Sequence, residues 1–205
     1  SPLILAMSLK NCLALLFVLA FLSFLVQSDF GNVNVKSHTL YSSNNQYVVY
    51  DLYKPSSASK ENKAPFIVVV PGFQRSKEAL SNIAIELSRR GNVVALIDPY
   101  AQGMSSSSLS RRAATTEGYG MFALIDTVSK GNLFDFVDTD KMASTGHSMG
   151  GNAAIRGANY FGREAIRENK KSKLHSVYVS GYVLTLTEKV LEDVRSNVGV
   201  SYALY

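Results

Sequence analysis

The sequence predicts an α/β fold: a mostly parallel sheet with helices on both faces. Three observations carry this expectation. Short continuous apolar runs, of the kind that form strands buried on both faces, recur along the chain. Longer segments between them repeat their apolar residues at helical spacing. The resulting strand-helix alternation continues from Phe66 to Ser180, and right-handed crossovers turn such an order into a parallel sheet. With 205 residues the chain suffices for one domain with a sizeable core and is too short for two ordinary ones.

The first element is apolar. Residues 1–28 carry one charge, Lys10, followed by an uncharged run from Cys12 to Val26. At about 1.5 Å per residue, a run of about 15 residues falls short of a ~30 Å hydrocarbon core, which favours a secretory signal over a membrane anchor. Met7 to Lys10 would supply the positive n-region and Leu13 to Val26 the h-region. Val26-Gln27-Ser28 would form the cleavage site, leaving Asp29 as the mature N-terminus. If Met7 is not the true start, Pro2 to Ala6 lengthens the stretch toward an anchor. Residues 1–28 are therefore read as signal peptide or anchor and residues 29–205 as the folded domain. The expected location is extracytoplasmic, secreted or membrane-anchored, with any membrane association made through this segment.

The β-rich segments His38–Tyr41 and Gln46–Tyr53 flank the turn-forming Ser42-Ser43-Asn44-Asn45 and suggest a hairpin at a sheet edge. Pro55–Lys63 is a polar loop. Phe66–Val70 is the first buried strand, and Ala79, Leu80, Ile83, Ala84 and Leu87 mark a helix that Gly91 stops. Val93–Ile97 is the second strand, Glu117–Lys130 a helix with Tyr119 and Phe122 in its middle, Lys141–Gly146 the third strand, Met149–Phe161 the third helix and Ser176–Ser180 the fourth strand. Leu186, Val190, Leu191 and Val194 suggest a helix in a cap or connection, which would leave the fourth strand as an exposed sheet edge.

Composition excludes several classes. With 46% hydrophobic and 18% charged residues the chain is not disordered, and the single Cys12 rules out a disulfide scaffold and a cysteine-built zinc site. No metal and no cofactor are expected. The net charge of +5 is scattered along the chain, apart from short clusters such as Lys170, Lys171 and Lys173, and reads as a solvated face instead of a nucleic-acid surface.

Gly146-His147-Ser148-Met149-Gly150 matches G-x-S-x-G between an expected strand and an expected helix, the setting of a nucleophile elbow. There the serine takes a strained backbone conformation that projects its hydroxyl above the sheet edge, and glycines before and after avoid collision in so tight a turn. The bland alternative is a strand-to-helix turn with Ser148 as N-cap. Acyl transfer also needs backbone N–H donors at the oxygen that becomes negative. Met149, at the start of its helix, would supply one. The second should come from Pro71-Gly72-Phe73-Gln74-Arg75; Pro71 has no N–H, so Phe73 is the expected donor and Gly72 permits its close approach.

Val68-Val69-Val70-Pro71-Gly72-Phe73, Asp98-Pro99-Tyr100-Ala101-Gln102-Gly103-Met104-Ser105 and Thr145-Gly146-His147-Ser148-Met149-Gly150-Gly151 together resemble the α/β-hydrolases, in particular their dienelactone-hydrolase and esterase-like branch. The resemblance covers roughly residues 47–182 and implies a serine hydrolase acting on a small-molecule ester or acyl substrate, or less readily an amide. Many relatives carry His-Gly where this chain has Pro71-Gly72. Asp98, by the same resemblance, shapes its loop. The family order of nucleophile, acid and histidine puts the last two after later strands that this chain does not reach. Its own histidines agree: His147 belongs to the elbow, His38 lies in the hairpin, and His175 precedes the fourth strand, about 17 Å from the carboxyl edge. The triad acid and histidine are accordingly expected beyond Tyr205, and these 205 residues alone are expected to be inactive. Two rival readings remain at this stage, a non-catalytic binding or membrane-associated module of the same fold and a peptidase of the same fold.

Overall fold

In the computed structural model of the chain, which describes residues 9–27, 29–42, 46–106, 117–181 and 191–201, the early hairpin pairs β1 (Val33–Tyr41) antiparallel with β2 (Tyr47–Pro55). Its register runs from Val33 opposite Pro55 to Tyr41 opposite Tyr47, so both strands are longer than their β-rich cores suggest. Four further strands follow the apolar runs: β3 (Ala64–Val70), β4 (Val93–Ile97), β5 (Val137–His147) and β6 (Ser176–Ser180). A last strand, β7 (Asn197–Ser201), completes one sheet in the order β1-β2-β4-β3-β5-β6-β7. The β1-β2 and β2-β4 pairs are antiparallel and all others parallel.

The helices lie where right-handed crossovers put them. Going from β3 to β4 steps toward the hairpin and places α2 (Ser81–Arg89), entered through a 3-10 turn at Lys77–Leu80, on one face. Going from β5 to β6 steps the opposite way and places α4 (Met149–Glu168) on the other face, where α3 (Met121–Ser129) joins it. Under α3 and α4 lies the larger core, which includes Phe66, Val68, Ile97, Met142, Phe161 and Leu174, all essentially inaccessible. A smaller core of Val33, Tyr53, Val69, Ala84, Val94 and Leu96 lies under α2. The alternation of side chains along each strand divides them between these layers, and β4, buried at every residue, serves both.

Four sequence expectations change. Leu186 and Val190 fall outside the described residues; Leu191 to Asp193 form a turn and Val194 leads into β7, so no helix covers Leu191 to Val194. The sheet edge on that side is therefore β7, not β6. Nor is β6 buried on both faces: it alternates, with Val177 and Val179 buried and Tyr178 50% exposed. Tyr119, expected within a helix, instead sits in a buried 3-10 turn at Gly118–Gly120 with φ 56, ahead of α3.

On the α2 face, beyond α2 itself, β3, β5, β6 and β7 floor an apolar groove of 740 Å³ bordered by Leu87, Ala143, Tyr178 and Val198. At the other end of the chain, α1 (Leu9–Gln27) is almost wholly exposed, and by length and composition it is apolar enough to cross a membrane.

Candidate active site

Because β3 through β7 are parallel, the loops leaving their carboxyl ends gather at one edge of the sheet, and Ser148 stands among them at the junction of β5 and α4. Its backbone has φ 54 and ψ −116, a region that non-glycine residues rarely occupy. The turn is held on both sides: the Ser148 N–H donates to the Ser180 carbonyl at 3.0 Å, and the Asn152 N–H donates to the Ser148 carbonyl at 3.1 Å. The glycines of the motif have direct steric causes. A Cβ on Gly146 would lie 2.3 Å from the carbonyl carbon of Gly150, and one on Gly150 would lie 1.9 Å from the carbonyl oxygen of Val70. No side chain fits where strand, turn and helix meet this closely.

The segment after β3 runs beside the serine. A Cβ on Gly72 would lie 3.4 Å from Ser148 Cβ and 3.3 Å from the His147 carbonyl oxygen, so the backbone leading into Phe73 passes against Ser148. Phe73 is 46% exposed, Gln74 is left-handed at φ 55, and the Arg75 N–H closes a turn onto the Gly72 carbonyl at 3.2 Å. Met149 opens α4, where the first backbone N–H groups have no acceptor within the helix and the dipole favours an anion. The two expected donor residues thus directly follow Gly72 and Ser148 in the chain, and Gly72 packs on Ser148.

A third loop, after β4, braces this arrangement. Asp98 is 1% exposed, and its carboxylate accepts the Lys77 N–H at 2.7 Å and the Met104 N–H at 2.9 Å. Gly103 (φ 53) must be glycine, since a Cβ there would lie 2.3 Å from the Asp98 carboxyl carbon. Ser105 Oγ donates to the Asp98 carbonyl at 2.6 Å and accepts the Val49 N–H at 2.8 Å. The Gln102 side chain reaches across to the Gly72–Arg75 turn: its Oε1 accepts the Gln74 N–H at 2.5 Å, and its Nε2 donates to the carbonyls of Gly72 at 3.2 Å and Arg75 at 3.1 Å. In the sequence Gln102 stands out only as one member of a motif, and no local pattern signals bonds that span about 30 positions.

Nearby, Lys77 Nζ lies 3.1 Å from Asp51 and 2.9 Å from Glu78. Burial alone would lower this ammonium's pKa, but hydrogen bonds to Glu78 and Asp51 outweigh it and hold the pKa above the usual lysine range. The bond from Lys77, aided by Ser76, brings the Glu78 carboxyl down to about 2.

His38 and His175 lie apart from Ser148, whereas His147 is its neighbour in the elbow. The His147 ring is exposed, and the nearest glycines to it are Gly72 and Gly181, where a Cβ would meet Nδ1 at 3.4 Å and Nε2 at 2.9 Å respectively. His38 stacks on Tyr50 in the hairpin at 5.4 Å between ring centroids. His175 stands before β6, at the sheet edge opposite Ser148, with its N–H donating to the Met142 carbonyl at 2.9 Å. The apolar groove reaches His147 and Gly146 but is not lined by Ser148. Among the described residues, no group of three His, Cys, Asp or Glu side chains is placed to hold a metal ion.

A family model described as PET hydrolase-like matches residues 23–178. No curated protein matches the chain. Among solved structures, an esterase from Pyrobaculum calidifontis is 19% identical, with 90% of this chain and 56% of that one covered at a TM-score of 0.59. The carboxylesterase EstE1, cloned from a metagenomic library, is 20% identical over 75% of this chain and 48% of that one, with a TM-score of 0.59. A hypothetical protein from Pseudomonas aeruginosa is 22% identical over 74% and 44%, with the same TM-score. The chain spans about half the length of these structures, and at such identities the likeness establishes the fold. Sheet order, elbow and family match agree: the chain is an α/β-hydrolase and belongs to the PET hydrolase-like family.

Proposed function

We propose that this site hydrolyses esters through Ser148. The observation that carries the reading is the Ser148 backbone, held at φ 54 and ψ −116 between two glycines that admit no side chain, with Gly72 packed on its Cβ. A serine in a strained turn at the carboxyl edge of a parallel sheet is the arrangement a nucleophile needs. Ser148 Oγ attacks the carbonyl carbon of a small-molecule ester, and its proton passes to a histidine base that an acid orients. The Phe73 and Met149 N–H groups stabilise the oxyanion. Its collapse expels the alcohol, which takes the proton, and water then releases the acid from the acyl-serine. The base and its acid are proposed to lie beyond Tyr205, as the α/β-hydrolase order of nucleophile, acid and histidine implies. The esterase names among the solved relatives favour an ester over an amide. The exposed α1 supports an extracytoplasmic location, as a cleaved signal or an anchor.

The test is Ser148→Ala in the full-length protein. Turnover of a short aryl ester and fluorophosphonate labelling both vanish while circular dichroism is unchanged. Labelling at the wild-type rate would overturn the assignment, and preferential cleavage of an aminoacyl amide by the wild type would move it to a peptidase.

A further inference from the structure

We propose that Gln102 is a positioning residue of this site: it holds the Gly72–Arg75 turn so that the Phe73 N–H faces the developing oxyanion. The proposal rests on the hydrolase reading above. The turn belongs to no strand or helix, and its left-handed Gln74 gives it no regular ladder to lean on. Gln102 contacts both of its limbs, with Oε1 on the Gln74 N–H and Nε2 on the carbonyls of Gly72 and Arg75. Three backbone groups flanking Phe73 are thereby tied to one side chain. Only a carboxamide offers an acceptor and a two-proton donor on neighbouring atoms; glutamate lacks the donor, lysine the acceptor and methionine both.

The side chain is itself held from behind. It belongs to the loop organised by the buried Asp98 carboxylate, with Ala101 (φ 63) and Gly103 (φ 53) on either side in left-handed conformations. The same carboxylate binds the Lys77 N–H, where the segment after β3 ends. The oxyanion loop is thus fastened at its turn by Gln102 and at its far end by Asp98, both on a loop pinned to β2 through Ser105.

Hydrogen bonds to an oxyanion matter more in the transition state than in the bound ester, so a loosened donor lowers kcat and leaves KM nearly constant. Losing one donor outright costs about 10²- to 10³-fold in kcat, and misplacing it should cost about 10- to 100-fold.

The experiment compares full-length wild type, Gln102→Met and Gln102→Glu on an aryl ester and on the matching thionoester. Sulfur is a weak hydrogen-bond acceptor and draws little from the donors, so the wild type prefers the oxygen ester. In Gln102→Met, kcat for the ester falls about 10- to 100-fold while the thionoester rate and both KM values hold, and the preference collapses. Gln102→Glu keeps the Gln74 contact but turns a carboxylate on two carbonyls, and behaves alike; it carries the test if the methionine variant does not fold. A purely structural role would slow both substrates in parallel or lower only the melting temperature, and an unchanged preference overturns the proposal. Ser148→Ala separates the two failures: if it stays active the hydrolase reading falls, whereas if it is inactive and the Gln102 variants keep the wild-type preference, only the positioning role falls.

Discussion

A Cβ on Gly150 would stand 1.9 Å from the Val70 carbonyl oxygen and 2.6 Å from that of Pro71, backbone atoms at the end of β3 that cannot swing aside. Gly150→Ala must therefore push α4 off the strand, and it should cost about 3 kcal/mol or more in urea unfolding. A wild-type midpoint would show that the junction is looser than these distances require. Gly151→Ala is the control, because its Cβ would meet the Gly146 carbonyl oxygen and Val179 Cβ no closer than 3.3 Å. A second residue, Asp98, works through two oxygens at once, on Lys77 and Met104. Asp98→Asn can accept only one of these N–H groups and sets its own NH₂ against the other. With the site buried, about 2 kcal/mol should be lost. Esterase turnover should fall in parallel with Gln102→Met, since both residues hold the same loop; full turnover in Asp98→Asn would separate loop packing from catalysis.

At the scale of elements, α3, α4 and the approach to β6 meet at Lys173. Its Nζ lies 2.6 Å from Asp126 on α3 and 2.8 Å from Glu164 on α4, and 5.8 Å from the centre of the Phe161 ring. Burial would raise the Asp126 pKa, but Lys173 and then Lys130 outweigh it and lower the value below 3.8. For Lys173 burial is the opposing influence, and its two carboxylate partners raise it above 10.5. A lowered acid stabilises the fold above its unfolded pKa and loses that effect as pH falls through the folded one; a raised base stabilises below its unfolded pKa and loses that effect as pH rises. The bridge is thus fully effective between the two ordinary values and fails in acid below 3.8. Asp126 is 40% exposed, so screening limits the effect, and Lys173→Met should cost about 1 kcal/mol near neutrality and less in acid. An equal cost at pH 7 and in acid, measured by urea unfolding, would assign the effect to packing on Phe161. The elements themselves were legible in the sequence to different depths. Phe66–Val70 and Val93–Ile97 were readable because burial on both faces leaves an uninterrupted apolar run. By contrast, Asn197–Ser201 shows no such run: one face is open, Gly199 interrupts it, and it becomes a strand only by pairing Asn197 to Ser201 with Ser176 to Ser180. Tyr119 fits a helical period, yet its backbone turns left-handed beside Gly118 and Gly120, a choice tertiary contacts make.

Across the whole molecule, the half of the site that was legible is the half that steric necessity writes into short motifs, Gly146 to Gly150 and Pro71 to Phe73. The brace from Gln102 was not, because it joins loops far apart in sequence and only the sheet order brings them together. The N-terminal segment lies at the opposite extreme, since α1 is almost wholly exposed. The helix α1 begins at Leu9, earlier than the uncharged run, and its 19 residues rise about 28 Å, close to the ~30 Å of a hydrocarbon core. Its apolar side chains face outward, and none of them belongs to either core. Removing residues 1–28 should therefore leave unfolding of the domain unchanged within about 0.5 kcal/mol. The intact chain should co-sediment with phosphatidylcholine vesicles and the same deletion should abolish this, because apolar area is what drives a helix into lipid. A lowered melting temperature in residues 29–205 would mean that α1 covers part of the domain, and vesicle binding that survives the deletion would move the contact surface to the folded body, where the groove beside Tyr178 and Val198 is the exposed apolar ground.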